Sequence, residues 1–115
     1  MFGNLMSRFL GGASGGAAVD HAEMLDLVRA GETAIVDVRE PHEFASGRIP
    51  GAINLPLSQF DPAKLPEGKP IVFVCLSGAR SNHAMAIAAR AGRTDLRNYV
   101  EGMSGWRARG GRMVR

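Results

Sequence analysis

The chain contains few of the residues that stabilise small proteins through disulfides or metal ions. Its 115 residues include one cysteine, one tryptophan and one tyrosine. One cysteine cannot form an intrachain disulfide, so we predict a reducing, cytoplasmic setting. The histidines His21, His42 and His83 lack the spacing of metal ligands, and we expect all three on the solvated surface. The spacing of the histidines therefore gives no indication of a metal site.

Long hydrophobic runs are also absent. No stretch approaches the roughly 18 apolar residues of a membrane-spanning helix, and "MFGNLMSRFLGG" lacks the continuous apolar core of a secretory signal. The net charge of +3 is uneven, because residues 90–115 hold seven arginines against two acidic residues. We interpret this region as a solvated arginine-rich surface that can attract small anions or an acidic partner, and it lacks the clustered, aromatic-interleaved pattern of nucleic-acid binding. We expect no nucleic-acid partner and no transmembrane segment.

A glycine-rich stretch divides the chain into two parts. Residues 11–18, "GGASGGAA", are typical of a flexible linker, so we assign 1–18 to an N-terminal segment with its linker and 19–115 to the folded domain. The apolar side chains of the segment fall on one helical face. They are Phe2, Leu5, Met6, Phe9 and Leu10. We expect residues 2–10 to support self-association or docking on a partner, and not catalysis.

Strand and helix patterns alternate through the folded domain. The β-branched or apolar runs "TAIVDV", "AINLP", "IVFVC" and "LRNYVEG" predict strands, and the stretches between them predict helices. A first helix is expected from the N-cap Asp20 to Gly31. Connections too long for hairpins favour βαβ units, and hence an α/β fold with a parallel sheet and helices on both faces. Ligands of such sheets bind at the carboxyl ends of the strands, where Cys75 lies.

The stretch "IVFVCLSGARS", residues 71–81, places the single thiol where a strand stops, and we expect a helix to begin near Ser81. Backbone N–H groups at a helix start lack intrahelical acceptors, so a compact loop can aim several of them at the sulfur. Together with the helix dipole they favour thiolate over thiol, and we expect a nucleophilic Cys75 with a depressed pKa. Gly78 permits a tight bend. Arg80 can fold back over the loop and bind an anionic substrate.

The same residues resemble a known family. Cys75-x-x-Gly78-x-Arg80-Ser81 resembles the active-site loop of single-domain rhodaneses, which are thiosulfate and persulfide sulfurtransferases. "IVDVREPHEFASGRIPGAINLP", residues 35–56, resembles the family's Asp-Val-Arg segment and its Gly-x-Ile-Pro-Gly-Ala turn. "VEGMSGW", residues 100–106, resembles its C-terminal signature. The match runs from Val19 to about Arg112. It departs at Arg48, where the family often has histidine, and this departure bears on substrate preference.

The resemblance implies a rhodanese-like three-layer fold with five parallel strands. It also implies that Cys75 accepts a sulfane sulfur from a small anionic donor, thiosulfate or a persulfide, and passes it to cyanide, a thiol or a protein. The implied active-site loop comprises Leu76, Ser77, Gly78, Ala79, Arg80 and Ser81. Asp37 and Arg39 are expected to form an ion pair that braces the site. Sulfur transfer of this kind needs no metal and no cofactor.

Two other functions compete with sulfur transfer. Cysteine phosphatases and arsenate reductases of the Cys-x5-Arg type have a wider loop, whereas four residues separate Cys75 from Arg80 here. A tighter loop favours a single extra sulfur atom over a tetrahedral phosphate. The fold also serves as a non-catalytic docking or regulatory module, typically where the cysteine is lost. The intact Cys75 loop argues against that alternative, although fold alone does not decide it.

Overall fold

A computed structural model describes residues 17–115 and shows alternating strands and helices. The strands are β1 (Ala18–Val19), β2 (Ala34–Asp37), β3 (Ile53–Asn54), β4 (Ile71–Val74) and β5 (Leu96–Tyr99). The α-helices are α1 (His21–Ala30), α2 (Pro41–Ala45), α3 (Ala79–Arg90) and α4 (Gly102–Ala108), and short 3-10 helices span Leu57–Gln59 and Pro62–Lys64. In this part of the chain no helix is long and apolar enough to cross a membrane.

The five strands form one sheet in the order β1-β5-β4-β2-β3, and every neighbouring pair is parallel. This confirms the predicted α/β architecture with five parallel strands. Strand β1 was not predicted, because the sequence pattern assigned Ala18 to the linker. In the structure Ala18 pairs with Asn98, and Val19 pairs with Tyr99. The apolar face of residues 2–10 lies outside the described residues, as does the linker up to residue 16.

Alternation along the strands divides the core between the two faces of the sheet. On the first face, Val72 and Val74 pack with Met24 of α1 and with Met103 and Trp106 of α4. The second face carries the alternate residues of β4 and the small side chains of α3. They are Ile71, Phe73, Cys75, Ala84 and Ala88. Helices therefore cover both faces, and Cys75 lies on the face covered by α3.

Local signals set the ends of α1 as predicted. The carboxylate of Asp20 accepts from the Glu23 N–H at 2.9 Å, and Gly31 ends the helix in the left-handed conformation. The start of α3 differs from the prediction by two residues, since it begins at Ala79 and not near Ser81. The cause is Gly78, whose φ of 96° makes the turn before the helix, so that Arg80 lies in the first helical turn.

Two burial assignments made from the sequence are wrong. His21 is half-buried, because its Nδ1 lies 2.9 Å from the Tyr99 hydroxyl and its ring lies beside that of Trp106. The spacing of Ala84, Met85, Ala88 and Ala89 predicts a small-residue face that packs on the sheet, but Ala89 is exposed. Both errors concern which side chains meet across the fold. His42 and His83 are exposed as predicted, and Trp106 is almost fully buried in the core.

Candidate active site

Cys75 directly follows β4, and its sulfur accepts hydrogen bonds from the loop that it begins. The N–H of Gly78 lies 3.1 Å from Sγ and the N–H of Ser81 lies 3.3 Å from it. Ser81 is the third residue of α3, so its N–H has no acceptor within the helix. The N-cap residue Gly78 has no side chain that could accept this hydrogen bond, and the sulfur of Cys75 accepts it instead. The loop therefore points backbone donors at the thiol, as the sequence predicted.

Opposing influences act on the charge of the thiol. Burial acts to raise the pKa of Cys75, because a thiolate loses hydration there. The hydroxyl and the N–H of Ser81, with the N–H groups of Ser77 and Gly78, act in the opposite direction and prevail. The pKa of Cys75 therefore lies below its ordinary value, which favours the nucleophilic thiolate.

Ser81 is buried and links the sulfur to the loop backbone. Its Oγ lies 3.3 Å from Sγ and 3.1 Å from the Gly78 carbonyl oxygen. A hydroxyl has one proton, so it donates to only one of these acceptors at a time. When the thiol ionises, the hydroxyl can turn to the sulfur. The Gly78 carbonyl still accepts from the N–H of Asn82 at 3.1 Å.

Gly78 is required by both conformation and space. Its φ of 96° is in the left-handed region, and a Cβ there would lie 2.6 Å from the Val100 carbonyl oxygen. A side chain would push the loop away from the chain after β5. The loop residues Leu76, Ser77 and Ala79 are exposed, whereas Cys75, Gly78 and Ser81 form its buried inner part.

Arg80 has a partner that the sequence did not predict. Its NH1 donates to Glu43 Oε1 at 2.7 Å and its NH2 donates to Oε2 at 3.0 Å. The hydrogen bond from Arg80 lowers the pKa of Glu43 to about 2, so that carboxylate is ionised. Sequence reasoning expected a guanidinium free to bind an anion. In the structure α2 supplies a carboxylate to it.

The predicted ion pair between Asp37 and Arg39 is present. Arg39 NH2 lies 2.8 Å from Asp37 Oδ2, its Nε lies 3.0 Å from Oδ1, and both side chains are buried. The same NH2 donates to the Gly47 carbonyl at 2.8 Å. The pair thus ties the end of β2 to the turn after α2. Its role in supporting catalysis stays a prediction.

Helix α4 donates hydrogen bonds to carbonyl groups of the loop, and the sequence did not predict this contact. The N–H of Met103 donates to the Cys75 carbonyl at 2.8 Å, and that of Ser104 donates to the Leu76 carbonyl at 3.0 Å. These N–H groups have no acceptor within their own helix, so the loop carbonyls satisfy them. Gly102, with φ of 63°, leaves no room for a Cβ beside the Leu76 carbonyl. The "VEGMSGW" signature indicated this region but not its contact.

Asn98 of β5 is a second residue that sequence reasoning missed. It is buried, and its Nδ2 lies 3.4 Å from the Gly78 carbonyl oxygen. Its Oδ1 finds no hydrogen-bond partner among residues 17–115. Asn98 therefore touches the inner side of the loop. No local signal marks it, because asparagine within a strand pattern has no fixed role.

The described part of the chain offers no cluster of candidate metal ligands. Residues 17–115 contain no group of three or more histidine, cysteine, aspartate or glutamate side chains that could hold a metal ion.

Similarity to known proteins shows the family of this chain. The model of the family described as "Rhodanese-like domain" matches residues 20–109. The chain belongs to the rhodanese-like domain family. The human thiosulfate:glutathione sulfurtransferase is 32% identical over 109 residues, covering 81% of this chain and 95% of that protein.

Other relatives show the same domain alone and within larger proteins. The structure of the human single-domain sulfurtransferase TSTD1 matches with a TM-score of 0.70 and 31% identity, covering 83% of this chain and 98% of that one. An HTH-type transcriptional regulator of Mycobacterium tuberculosis is 37% identical over 97 residues, or 81% of this chain. The match covers only 42% of that regulator's length. These likenesses support a sulfurtransferase family for this rhodanese-like chain.

Proposed function

We propose that this protein is a sulfurtransferase that carries a sulfane sulfur as a persulfide on Cys75. The observation that carries the proposal is the set of donors around Sγ: the N–H groups of Gly78 and Ser81 and the Ser81 hydroxyl, all within 3.3 Å. These donors stabilise a negative charge on the sulfur before and after it gains a second sulfur atom. The protein would need no general base if the thiol is already ionised.

The transfer begins when the Cys75 thiolate attacks the outer sulfur of the donor. A new sulfur–sulfur bond forms, the donor's sulfur–sulfur bond breaks, and its electron pair leaves on sulfite when thiosulfate is the donor. Arg80 would stabilise the departing anion. The persulfide then gives its outer sulfur to cyanide, a thiol or a protein. Since Cys75 is the single cysteine, it cannot resolve its persulfide within the chain, and the acceptor must come from outside.

Access to the sulfur favours this reaction over phosphate chemistry. Cys75 is only 1% exposed, so a protruding terminal sulfur reaches it more readily than a tetrahedral phosphate does. The four residues between Cys75 and Arg80 make a loop shorter than that of the Cys-x5-Arg phosphatases. The relatives that are named sulfurtransferases also support sulfur transfer over phosphate chemistry.

Mass spectrometry of the treated protein tests the proposal. After incubation with thiosulfate, the peptide containing Cys75 should gain about 32 Da, the mass of one sulfur atom. Cyanide should remove this mass and yield thiocyanate. Cys75→Ser should form no adduct and lose thiosulfate:cyanide sulfurtransferase activity, while its urea midpoint stays near that of the unchanged protein. A serine variant with full activity, or an unchanged protein that gains no sulfur from any donor, would overturn the proposal.

A further inference from the structure

The guanidinium of Arg80 is already occupied by a carboxylate. Glu43 binds it through two hydrogen bonds of 2.7 and 3.0 Å, and both side chains are only partly exposed. A guanidinium has five N–H groups, so three remain outside this contact. An anion that is to bind Arg80 must therefore share it with Glu43 or displace that carboxylate.

Glu40, the N-cap residue of α2, adds a second contact to Glu43. Glu43 Oε1 also accepts from the N–H of Glu40 at 2.9 Å, and the carboxylate of Glu40 accepts from the Ser58 hydroxyl at 2.7 Å. Glu43 is thereby held from two sides, by the backbone before α2 and by Arg80. The ion pair is part of the local structure and not an incidental surface contact.

Negative groups other than Glu43 also act on Arg80. Arg80 interacts electrostatically with Cys75 and Glu40 as well as with Glu43. Glu43 in turn interacts with Arg39. Arg39 is itself neutralised by Asp37 at 2.8 Å. Two arginines thus stand against three carboxylates and the thiolate. A dianion approaching the sulfur therefore meets an Arg80 whose charge is already compensated by Glu43.

Resting on the proposed function of Cys75, we propose that Glu43 sets donor specificity by neutralising Arg80, which favours a thiol persulfide over dianionic thiosulfate. A persulfide R–S–SH brings no sulfonate group that needs a cation. The Cys75 thiolate attacks its outer sulfur, the new sulfur–sulfur bond forms, and the old one breaks. The electron pair leaves with RS⁻, which takes up the proton of the outer sulfur and departs as RSH. The cysteine is left as the persulfide anion.

The test compares two donors in Glu43→Gln. Glutamine keeps an oxygen for the Glu40 N–H, so the start of α2 retains its hydrogen bond while Arg80 loses its counter-charge. With thiosulfate, kcat/KM should rise about tenfold, mainly through a lower KM, as expected for removing one unit charge near a charged ligand. With the persulfide of 2-mercaptoethanol, whose body is uncharged, kcat/KM should change less than about threefold.

Two variants serve as controls. Glu43→Asp keeps the negative charge, so the ratio of the two kcat/KM values should stay near that of the unchanged protein. Glu23→Gln alters a pair of the same chemistry elsewhere, since Glu23 binds Arg97 of β5 at 2.6 and 2.8 Å. It should leave the donor ratio unchanged. Urea midpoints of all three variants show that they are folded.

The possible results separate this inference from the function on which it rests. A selective gain with thiosulfate in Glu43→Gln, absent in both controls, supports a role in donor specificity. Equal loss with both donors, or an unchanged ratio, overturns it and would make Glu43 a residue that merely orients Arg80. If the unchanged protein gains no sulfur on Cys75 from either donor, the proposed function fails and the inference fails with it.

Discussion

Two arginine–carboxylate pairs flank the loop, and they differ in burial. The Arg39–Asp37 pair is almost inaccessible, with side chains 2% and 0% exposed, whereas the side chains of Arg80 and Glu43 are 34% and 23% exposed. A buried pair cannot lose one member without leaving an uncompensated charge, so it acts as part of the core. A partly exposed pair can exchange partners with water or a ligand. The same chemistry is thus enclosed in the core in one place and partly accessible to solvent in the other.

The largest effect that this comparison predicts is on stability. Arg39→Met should reduce the free energy of unfolding by about 3–5 kcal/mol, because it leaves the Asp37 carboxylate buried without its guanidinium. The Gly47 carbonyl also loses its donor. Urea unfolding followed by circular dichroism measures the change. The matched control is Arg97→Met, which alters the more exposed pair with Glu23 and should cost less than about 1 kcal/mol. Equal losses in the two variants would contradict the distinction.

Arg80→Ala should show the opposite pattern, with a large effect on activity and a small one on stability. Losing a charge-assisted contact to the departing sulfite should lower kcat/KM with thiosulfate about 30- to 150-fold, equivalent to about 2–3 kcal/mol. The variant also leaves Glu43 uncompensated, which repels a dianionic donor further. The free energy of unfolding should change by less than about 1 kcal/mol. Thiosulfate:cyanide kinetics measure the effect on activity, and urea unfolding measures the effect on stability. An unchanged kcat/KM with thiosulfate would show that Arg80 does not contact the donor.

The smallest expected effect is the pH dependence of the exposed pair. The Arg80 hydrogen bond lowers the pKa of Glu43 from 4.5 to about 2. Because the folded pKa is the lower one, this stabilisation is fully present above about 4.5 and is lost as the pH falls towards 2. The unchanged protein should therefore exceed Glu43→Gln in stability by less than about 1 kcal/mol at pH 7. Unfolding curves measured between about pH 6 and about pH 3 should show this stability difference shrinking as the pH falls. A constant difference would contradict a stabilising hydrogen bond from Arg80 to the Glu43 carboxylate.

The site residues that could be predicted are those whose chemistry is local in the chain. Cys75 and Gly78 lie in one short loop, and Ser81 lies in the first turn of the helix that follows it. Their spacing alone therefore indicates backbone donors aimed at the sulfur. Asp37 and Arg39 are two residues apart, and their pairing was confirmed. Their function in catalysis remains a prediction, as do the roles of residues 2–10 and the cytoplasmic setting.

The contacts that could not be predicted join residues far apart in the chain. Glu43 meets Arg80 across 37 positions, and Asn98 reaches the Gly78 carbonyl across 20. A glutamate on a short helix has many possible partners, and only the packing of α2 against the loop selects one. The half-buried His21 is a similar case, because Tyr99 lies 78 positions away.

By itself the sequence determined the alternating order of strands and helices, the ends of α1 and the placement of the thiol at a strand end. These follow from hydrophobic period, capping and turn residues, which act over a few positions. Tertiary structure alone decided that Ala18 joins the sheet, that α4 donates N–H groups to the Cys75 and Leu76 carbonyls, and that Glu43 holds Arg80. Each of these depends on which unsatisfied donor, acceptor or charge the fold brings within hydrogen-bond distance, and that is set by packing across the whole domain.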